Sequence, residues 1–308
     1  MPKKEMSMRN IEAWKEVGRV AGEILRKAVT LVKPGVRLLE LCDKIEDLIR
    51  EAGYRPAFPV NISINEVVAH YTATPFDFSE VSKKALVKLD LGVLHPTSGA
   101  IADTAVTVSI NLNGKVEALI KATQRALEKA IELTKDGIRV GEIGNIISKE
   151  AHEEGFGVLV DLGGHSLEEY KLHSGILIPN VPRKFTPKLR AGMIIAIEPF
   201  LVASPMDSYT RPNMAMVGIY SIKNPGKDKV LEMLHQNFRT LPFTLRWIDK
   251  ARAEREFYDT IHKHLLACHL EGKVNIYPAL VEARNRLVAQ FEHTILVGTN
   301  SAEILTAW

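Results

Sequence analysis

Residues 87–108 read VKLDLGVL-HPTSGA-IADTAVTV, and they form the pattern on which the rest of the chain is organised. Aliphatic and β-branched residues fill both arms while Pro, Ser and Gly cluster between them, which is typical of two β-strands joined by a turn. Each arm carries one carboxylate, Asp90 in the first and Asp103 in the second. Burying an ionised carboxylate is costly without a compensating positive charge. The pair therefore indicates either a metal ligand set or two turn and capping aspartates.

Helix-forming segments surround this hairpin, and they occur twice. Apolar residues recur at helical spacing over four segments: 9–32, 36–52, 116–135 and 138–154. Residues 27–37 and 129–139 are identical at six of eleven positions at an offset of 102 residues. Similarity at a fixed offset indicates an internal duplication.

The duplication predicts a second pair of carboxylate-bearing strands. Residues 192–198 read GMIIAIE and end at Glu198, while residues 292–297 read EHTILV and begin at Glu292. If the two halves pack about a pseudo-twofold axis, four carboxylates meet at one place. Their mutual repulsion would be relieved by about two divalent cations, so the duplication favours a metal site over turn aspartates.

Three histidines belong to segments close to these strands: His70, His165 and His173. His165 follows Gly163 and Gly164, whose lack of a side chain allows close backbone approach. A single histidine in an apolar segment is usually an ordinary core residue. Three of them beside four strand carboxylates favour metal ligands or catalytic groups instead.

Composition excludes several classes of protein. The chain has 308 residues, 46% of them hydrophobic, which is enough for a sizeable core. Its purely apolar runs, such as 193–197, are far shorter than the roughly 20 residues that span a bilayer, and Met1–Met6 lack the apolar core of a signal peptide. We therefore expect a cytoplasmic protein with reduced cysteines at Cys42 and Cys268. The net charge of +3 indicates no specific nucleic-acid partner.

The second half contains an insertion, residues 222–283, that has no counterpart in the first half. We expect it to form a helical subdomain, with residues 1–221 and 284–308 forming the catalytic domain. The insertion contains four residues of metal-ligating types: His262, His264, Cys268 and His269. Their spacing is not that of a zinc finger, so a solvated charged helix is the simpler interpretation.

Five segments together make the sequence resemble the type II methionine aminopeptidases. They read AFPVNISINE at 57–66 continuing to HYT at 70–72, GH at 164–165, YKLHSG at 170–175, IEP at 197–199, and VAQFEHTI at 288–295. The resemblance extends over nearly the whole chain. It implies the α+β pita-bread fold shared with prolidases and creatinases, and the helical insertion is what distinguishes type II from type I.

The resemblance also implies an activity and a metal requirement. The protein would remove the N-terminal methionine from nascent proteins and peptides by hydrolysis, using two divalent ions (Co, Mn, Fe or Zn). The implied metal ligands are Asp90, Asp103, His165, Glu198 and Glu292. Asp103 and Glu292 would bridge both ions, Asp90 would complete one ion, and His165 with Glu198 would complete the other.

The resemblance implies roles for the remaining candidates. Glu198 would also carry the proton that reaches the leaving amine. His173 would stabilise the oxyanion and His70 would hydrogen-bond the scissile amide, so both would contact substrate. Phe58 would line the pocket for the methionine side chain, although an ordinary core phenylalanine would look the same in sequence.

Two local features depart from the family pattern. The hairpin between Asp90 and Asp103 is two residues longer than usual, but extra residues at a tip leave both arms paired, so both ligands are kept. Two residues are also inserted in the stretch 71–75, directly after His70. The sequence does not define the shape of this loop, which borders the substrate. It therefore does not define which residues are accepted at the second position of the substrate.

Two alternatives remain at this point. A pita-bread protein without activity would bind RNA or protein partners, but here all five ligand positions hold competent residues. An Xaa-Pro dipeptidase usually carries a separate N-terminal domain before its first helix pair, whereas this sequence reaches its first helix almost directly.

Basic pairs such as Lys83-Lys84 and Arg183-Lys184 are most simply solvated surface, although they are also compatible with transient ribosome contact.

Overall fold

The computed structural model describes the backbone of residues 8–308 and the side chains from residue 11 onward, so the expectation about Met1–Met6 lies outside the described residues. The described helices are α1 (Met8–Leu31), α2 (Leu38–Glu51), α3 (Lys115–Leu133), α4 (Val140–Glu153), α5 (Lys229–Phe238), α6 (Asp249–Ala253) and α7 (Arg255–Leu270), with a 3₁₀ helix at Leu245–Trp247.

The described strands are β1 (Arg55–Pro56), β2 (Asn61–Ile64), β3 (Val67–Ala69), β4 (Ala85–Leu94), β5 (Ile101–Ile110), β6 (Gly157–Val158), β7 (Gly163–Leu167), β8 (Leu177–Pro179), β9 (Ile194–Ile197), β10 (Phe200–Val202), β11 (Thr210–Ile222), β12 (Val274–Glu282), β13 (Val288–Gln290), β14 (Glu292–Val297) and β15 (Ala302–Ile304). The mixture of helices and antiparallel strands confirms the expected α+β class.

The central hairpin forms as the sequence predicts. Strands β4 and β5 pair antiparallel from Ala85 opposite Ile110 to Leu94 opposite Ile101. At the tip, the His95 N–H donates to the carbonyl of Ala100. Both arms therefore keep their register, as expected.

The hairpin belongs to a large sheet that brings the two halves of the chain together. Over the described residues this sheet has the order β1-β4-β5-β14-β9-β7-β8, with β2 added beside β4 and β15 beside β14. The neighbours β4 and β5 come from the first half of the chain, whereas β14, β9 and β7 come from the second half. The predicted convergence of the two halves follows from this strand order.

The four predicted helical segments are confirmed as α1 to α4. Helix α1 packs against β4 and β5, and α3 packs against α4 and β9. The apolar faces of these helices and of the sheet form one core, with Trp14, Leu41 and Ile45 fully buried. None of the helices between residues 8 and 308 is both long and apolar enough to cross a membrane.

The insertion is helical over a shorter range than its sequence indicates. Helices occupy residues 229–270, but Val274–Glu282 forms strand β12, which pairs with β11 and β3. Residues 274–282 read VNIYPALVE, and the Val, Ile and Tyr residues among them favour a strand once a neighbouring strand is available. This strand is not predicted from the sequence, because the segment directly follows charged helices and is assigned with them to the same helical subdomain.

A buried ionic network connects the insertion to α2. The Arg246 side chain is fully buried and donates to the carboxylate of Glu46, which is 1% exposed, and to Thr72 Oγ1 at 3.0 Å. Burial raises the pKa of Glu46, while Arg246 and the Trp247 N–H act against that rise. The Val60 N–H also donates to Glu46 at 3.1 Å. The network therefore fixes the two chain segments around residues 60 and 72 to the insertion.

Both cysteines are free and buried, as expected. The Cys42 thiol lies 3.6 Å from the carbonyl oxygen of Val60, within the core. Cys268 lies on α7, in the insertion.

Candidate metal centre

Five neighbouring strands position the candidate ligands. Each strand contributes one residue: Asp90 lies on β4, Asp103 on β5, Glu292 at the start of β14, Glu198 directly after β9, and His165 on β7. Because these strands are adjacent in the order β4-β5-β14-β9-β7, their functional side chains meet at one region of the sheet. The structure thus brings together all five residues that the sequence suggested.

The donor atoms lie within reach of a common centre. His165 Nε2 is 3.5 Å from Asp103 Oδ2 and 3.9 Å from Glu198 Oε1. Asp103, His165 and Glu292 each offer a donor atom, and these atoms lie within 4.8 Å of one another. Gly164 makes this approach possible, because a Cβ at that position would lie 2.1 Å from the carbonyl oxygen of Ala196 on β9.

The four carboxyl groups repel one another in the absence of a cation. Burial raises the pKa of Asp103 to about 8. The pKa values of Asp90, Glu198 and Glu292 are also raised, mainly by burial and then by the negative charge of Asp103. Full ionisation of this site therefore requires positive charge from outside the chain.

The donor set fits divalent metal ions. Among the described side chains, the buried carboxylate oxygens without a hydrogen-bond partner are three, and all of them belong to this site: Asp90 Oδ1, Asp103 Oδ1 and Glu292 Oε1. Buried polar atoms normally have partners, so these orphaned oxygens indicate a missing one. Carboxylate oxygens with one imidazole nitrogen suit divalent first-row ions.

A cavity of about 220 Å³ opens beside these carboxylates, and the other candidate residues line it. They are Phe58, His70 and His173. His70 directly follows β3 and adopts a left-handed backbone conformation with φ of 62°, which is uncommon for a residue other than glycine. The rings of His165 and His173 lie 4.3 Å apart.

The histidines of the cavity are neutral near pH 7. Burial lowers the pKa of His70 to about 4, with a smaller contribution from His173. Burial likewise lowers the pKa of His165 to about 4. Neutral imidazoles can ligate a metal ion or donate a hydrogen bond without adding charge.

Phe58 is buried and faces the central hairpin. A Cβ at Gly92 would lie 2.3 Å from its ring, so the glycine opposite Asp103 provides the space that the ring occupies. The ring therefore lies directly beside the strands that carry Asp90 and Asp103.

The sequence reasoning missed much of the cavity wall. The additional lining residues are Asn61, Ala69, Asp161, Leu162, Gly163, Leu172, Leu177, Phe200, Ile219, Pro242 and Tyr277. Asn61 and Leu172 belong to segments already singled out, so proximity to His70 and His173 could have suggested them. Ile219, Pro242 and Tyr277 come from β11, the insertion and β12, and no sequence pattern relates these elements to the carboxylates.

The metal-free protein is expected to lose stability as the pH rises from about 6.5 to about 8. In this window the folded carboxyl groups retain protons that the unfolded chain has released, so folding becomes less favourable as pH rises. The buried histidines, whose pKa is lowered, oppose this trend only below the ordinary histidine pKa of 6.5. Lys88 also opposes it, because burial lowers its pKa to about 7 and the folded chain then holds one proton fewer there than the unfolded chain. Thermal unfolding of chelator-treated protein across this window measures how steeply the melting temperature falls with pH.

Added Mn²⁺ should raise the melting temperature most at the upper end of this window, because the ion binds the ionised carboxylates. The variant Asp103→Asn should show a shallower slope in the metal-free state. A metal-free melting temperature that rises steadily from pH 6.5 to 8 would contradict the electrostatic description of the site.

Comparison with known proteins agrees with this geometry. Residues 12–299 match the model of Metallopeptidase family M24. The chain is 39% identical to a methionine aminopeptidase from Pyrococcus abyssi over 94% of this chain and 97% of that protein. It is 38% identical to a methionine aminopeptidase from Methanocaldococcus jannaschii over 98% of this chain and 100% of that protein.

The fold is also similar to a solved structure. The crystal structure of a methionine aminopeptidase from Thermotoga maritima superposes with a TM-score of 0.73 over 99% of both chains, at 23% sequence identity. At that identity the superposition establishes the shared fold.

Proposed function

The chain belongs to metallopeptidase family M24, and on that premise we propose that it is a methionine aminopeptidase that removes the N-terminal methionine from peptides and nascent proteins. The single observation that carries the mechanism is the convergence of His165 and four carboxyl groups, two of them buried and two partly buried, beside a cavity of about 220 Å³. Metallopeptidases require a metal ion, and the donor atoms of this site are suited to bind one.

We assign two divalent ions, Co²⁺, Mn²⁺, Fe²⁺ or Zn²⁺, to this site. Five residues would hold them: Asp90, Asp103, His165, Glu198 and Glu292. The negative charge of Asp103 raises the pKa of each of the other three carboxyl groups, so Asp103 lies close to all of them. When bound, the ions would supply a water of lowered pKa and polarise the peptide carbonyl.

Glu198 is suited to carry the proton between the attacking water and the leaving amine. It follows the end of β9, and its side chain is 13% exposed, more than those of Asp103 and His165. Its Oε2 accepts a hydrogen bond from Gln290 Nε2 at 3.4 Å, which orients the carboxyl group. Without a bound ion its pKa is raised, mainly by burial and then by the charges of Asp103 and Asp90.

His70 and His173 act on the substrate as neutral imidazoles. We assign the oxyanion to His173 and the scissile amide to His70, since both rings line the cavity next to the carboxylates. Phe58 would contact the methionine side chain, and the loop 71–75 would border the second residue. Recognition of the substrate's free N-terminal amine at the site would restrict cleavage to the first peptide bond.

We propose that the insertion is the type II helical subdomain, within the boundaries 222–283 given by the sequence. Its helices span 229–270 in the structure. Pro242, from the insertion, lines the cavity, so this subdomain would take part in substrate selection.

The function is tested by comparing Met-Ala-Ser and Ala-Pro as substrates after chelation and after addition of each candidate metal. We expect methionine to be released only when a metal is present. Preferential cleavage of Ala-Pro would indicate an Xaa-Pro dipeptidase instead. No methionine release with Mn²⁺, Co²⁺, Fe²⁺ or Zn²⁺ would indicate a binding protein.

The variant His173→Ala is expected to lower kcat for methionine release by about 10²–10³-fold, the usual effect of removing an oxyanion donor. The KM should change little, because the interaction forms mainly in the transition state. Steady-state kinetics on Met-Ala-Ser provide the measurement. The matched control is His152→Ala, whose side chain is 44% exposed and pairs with Asp207 away from the cavity. Equal kinetics for the two variants would refute the role of His173.

A further inference from the structure

A second cluster of metal-ligating side chains lies in the insertion, outside the catalytic cavity. His264 and Cys268 are one helical turn apart on α7, so they occupy the same face of that helix. Asp228, which precedes α5, joins them. His264 Nε2 lies 2.8 Å from Asp228 Oδ2, and Cys268 Sγ lies 3.6 Å from His264 Nε2 and 3.9 Å from Asp228 Oδ2.

The spacing of these three atoms suits a tetrahedral ion. Ligands around Zn²⁺ with bonds of about 2.0–2.3 Å lie roughly 3.4–3.8 Å from one another. The two distances from the Cys268 sulfur are close to this range, and the His264 to Asp228 pair, at 2.8 Å, must open by about 0.6 Å or more.

The Asp228 carboxyl group is oriented independently of the cluster. Its Oδ1 accepts hydrogen bonds from the Val230 and Leu231 N–H groups at 2.9 and 3.1 Å, which caps α5. Its Oδ2 remains directed towards His264. Hydrogen bonds that fix a ligand in this way are typical of metal sites.

The other two histidines of α7 are engaged elsewhere. His262 Nδ1 bonds the Tyr220 hydroxyl at 2.6 Å, and His269 Nδ1 bonds the carbonyl oxygen of Val274 at 3.0 Å. The four ligand-type residues of the sequence therefore separate into two structural histidines and a His264/Cys268 pair. The pair gains a third donor from Asp228 that spacing along α7 could not reveal.

Access and chemistry both favour a soft divalent ion. Cys268 is 3% exposed, whereas the side chains of Asp228 and His264 are 19% and 36% exposed, so an ion can enter from solvent and water can complete its coordination. Lys273, a nearby cation, pairs with Glu271. A thiolate with an imidazole selects Zn²⁺ and related thiophilic ions.

We propose that Asp228, His264 and Cys268 form a second metal site that takes Zn²⁺ or another thiophilic divalent ion and joins the start of α5 to α7. The site is distinct from the catalytic centre, whose donors are oxygen and nitrogen alone. The sulfur ligand therefore gives it a spectroscopic signature of its own.

The test adds Cd²⁺ to the full-length protein already loaded with Mn²⁺ and records the thiolate-to-Cd²⁺ charge-transfer absorption in the ultraviolet. We expect a band that saturates at one Cd²⁺ per chain, that is lost in Cys268→Ser and that is retained in Cys42→Ser. His264→Gln should weaken Cd²⁺ binding more than about tenfold, whereas the matched control His269→Gln should not.

Methionine release should remain measurable in Cys268→Ser, so this result is separate from the catalytic proposal. Absence of the band in the wild type, or its survival in Cys268→Ser, would overturn the proposal. If Cys268→Ser does not fold, the partly exposed His264→Gln substitution decides the question: unchanged Cd²⁺ affinity would overturn it.

Discussion

Replacement of Glu198 by alanine is expected to lower kcat for methionine release by about 10²–10⁴-fold, the range for loss of a group that transfers protons in the transition state. The same variant should bind one of its metal ions more weakly, because Glu198 lies 3.9 Å from His165 Nε2 and shares its end of the site. Steady-state kinetics on Met-Ala-Ser and the metal content of the same sample measure both effects.

Glu198→Gln is the matched control for shape, since it retains the volume of the side chain and a polar contact with Gln290. It should be nearly as inactive as the alanine variant, because the amide cannot accept and return a proton. Normal turnover in either variant would show that Glu198 has no part in proton transfer.

Replacement of Arg246 by methionine is expected to lower the free energy of unfolding by up to about 3–5 kcal/mol, because it removes the fully buried cation that pairs with Glu46 and leaves the 44% exposed Arg50 as the remaining ionic partner. Arg246 also donates to Thr72, in the loop that follows His70, so the KM for Met-Ala-Ser should rise in the variant that still folds. Chemical denaturation and steady-state kinetics give the two values.

Arg252→Met is the matched control, because Arg252 pairs with Asp43 at a position where 46% of its side chain is exposed. An exposed pair of this kind contributes at most about 1 kcal/mol. The double variant Glu46→Gln/Arg246→Met removes both charges and should recover part of the lost stability. Equal losses for Arg246→Met and Arg252→Met would contradict the structural role of the buried pair.

The sequence was sufficient to predict that the four carboxyl groups converge, because they lie on or beside strands with clear local patterns. Asp90 and Asp103 interrupt apolar strands, and the duplication related them to Glu198 and Glu292 in the second half. Once strands from both halves join one sheet, the carboxylates must be neighbours, and the strand order β4-β5-β14-β9 satisfies that condition.

Features that depend on distant pairs of residues could not be predicted in this way. Glu46 and Arg246 are 200 residues apart, and neither stands out in its own helix. Asp228 is separated from His264 and Cys268 by the intervening chain and reads as a simple helix cap. Strand β12 was expected to be helical, because its partner β11 lies on the far side of the insertion and only pairing with it fixes the strand.

The central claim is that two divalent ions neutralise the four carboxylates and are required for hydrolysis. Mn²⁺ tests it most directly, because its preference for oxygen ligands favours the catalytic centre over a thiolate site. Bound Mn²⁺ and released methionine should be measured together while metal-free protein is titrated, in the wild type and in Asp103→Asn. We predict no release without Mn²⁺, binding of up to two ions per chain in the wild type, and loss of both binding and release in Asp103→Asn. Full methionine release by the metal-free protein, or unchanged Mn²⁺ binding in Asp103→Asn, would contradict the claim.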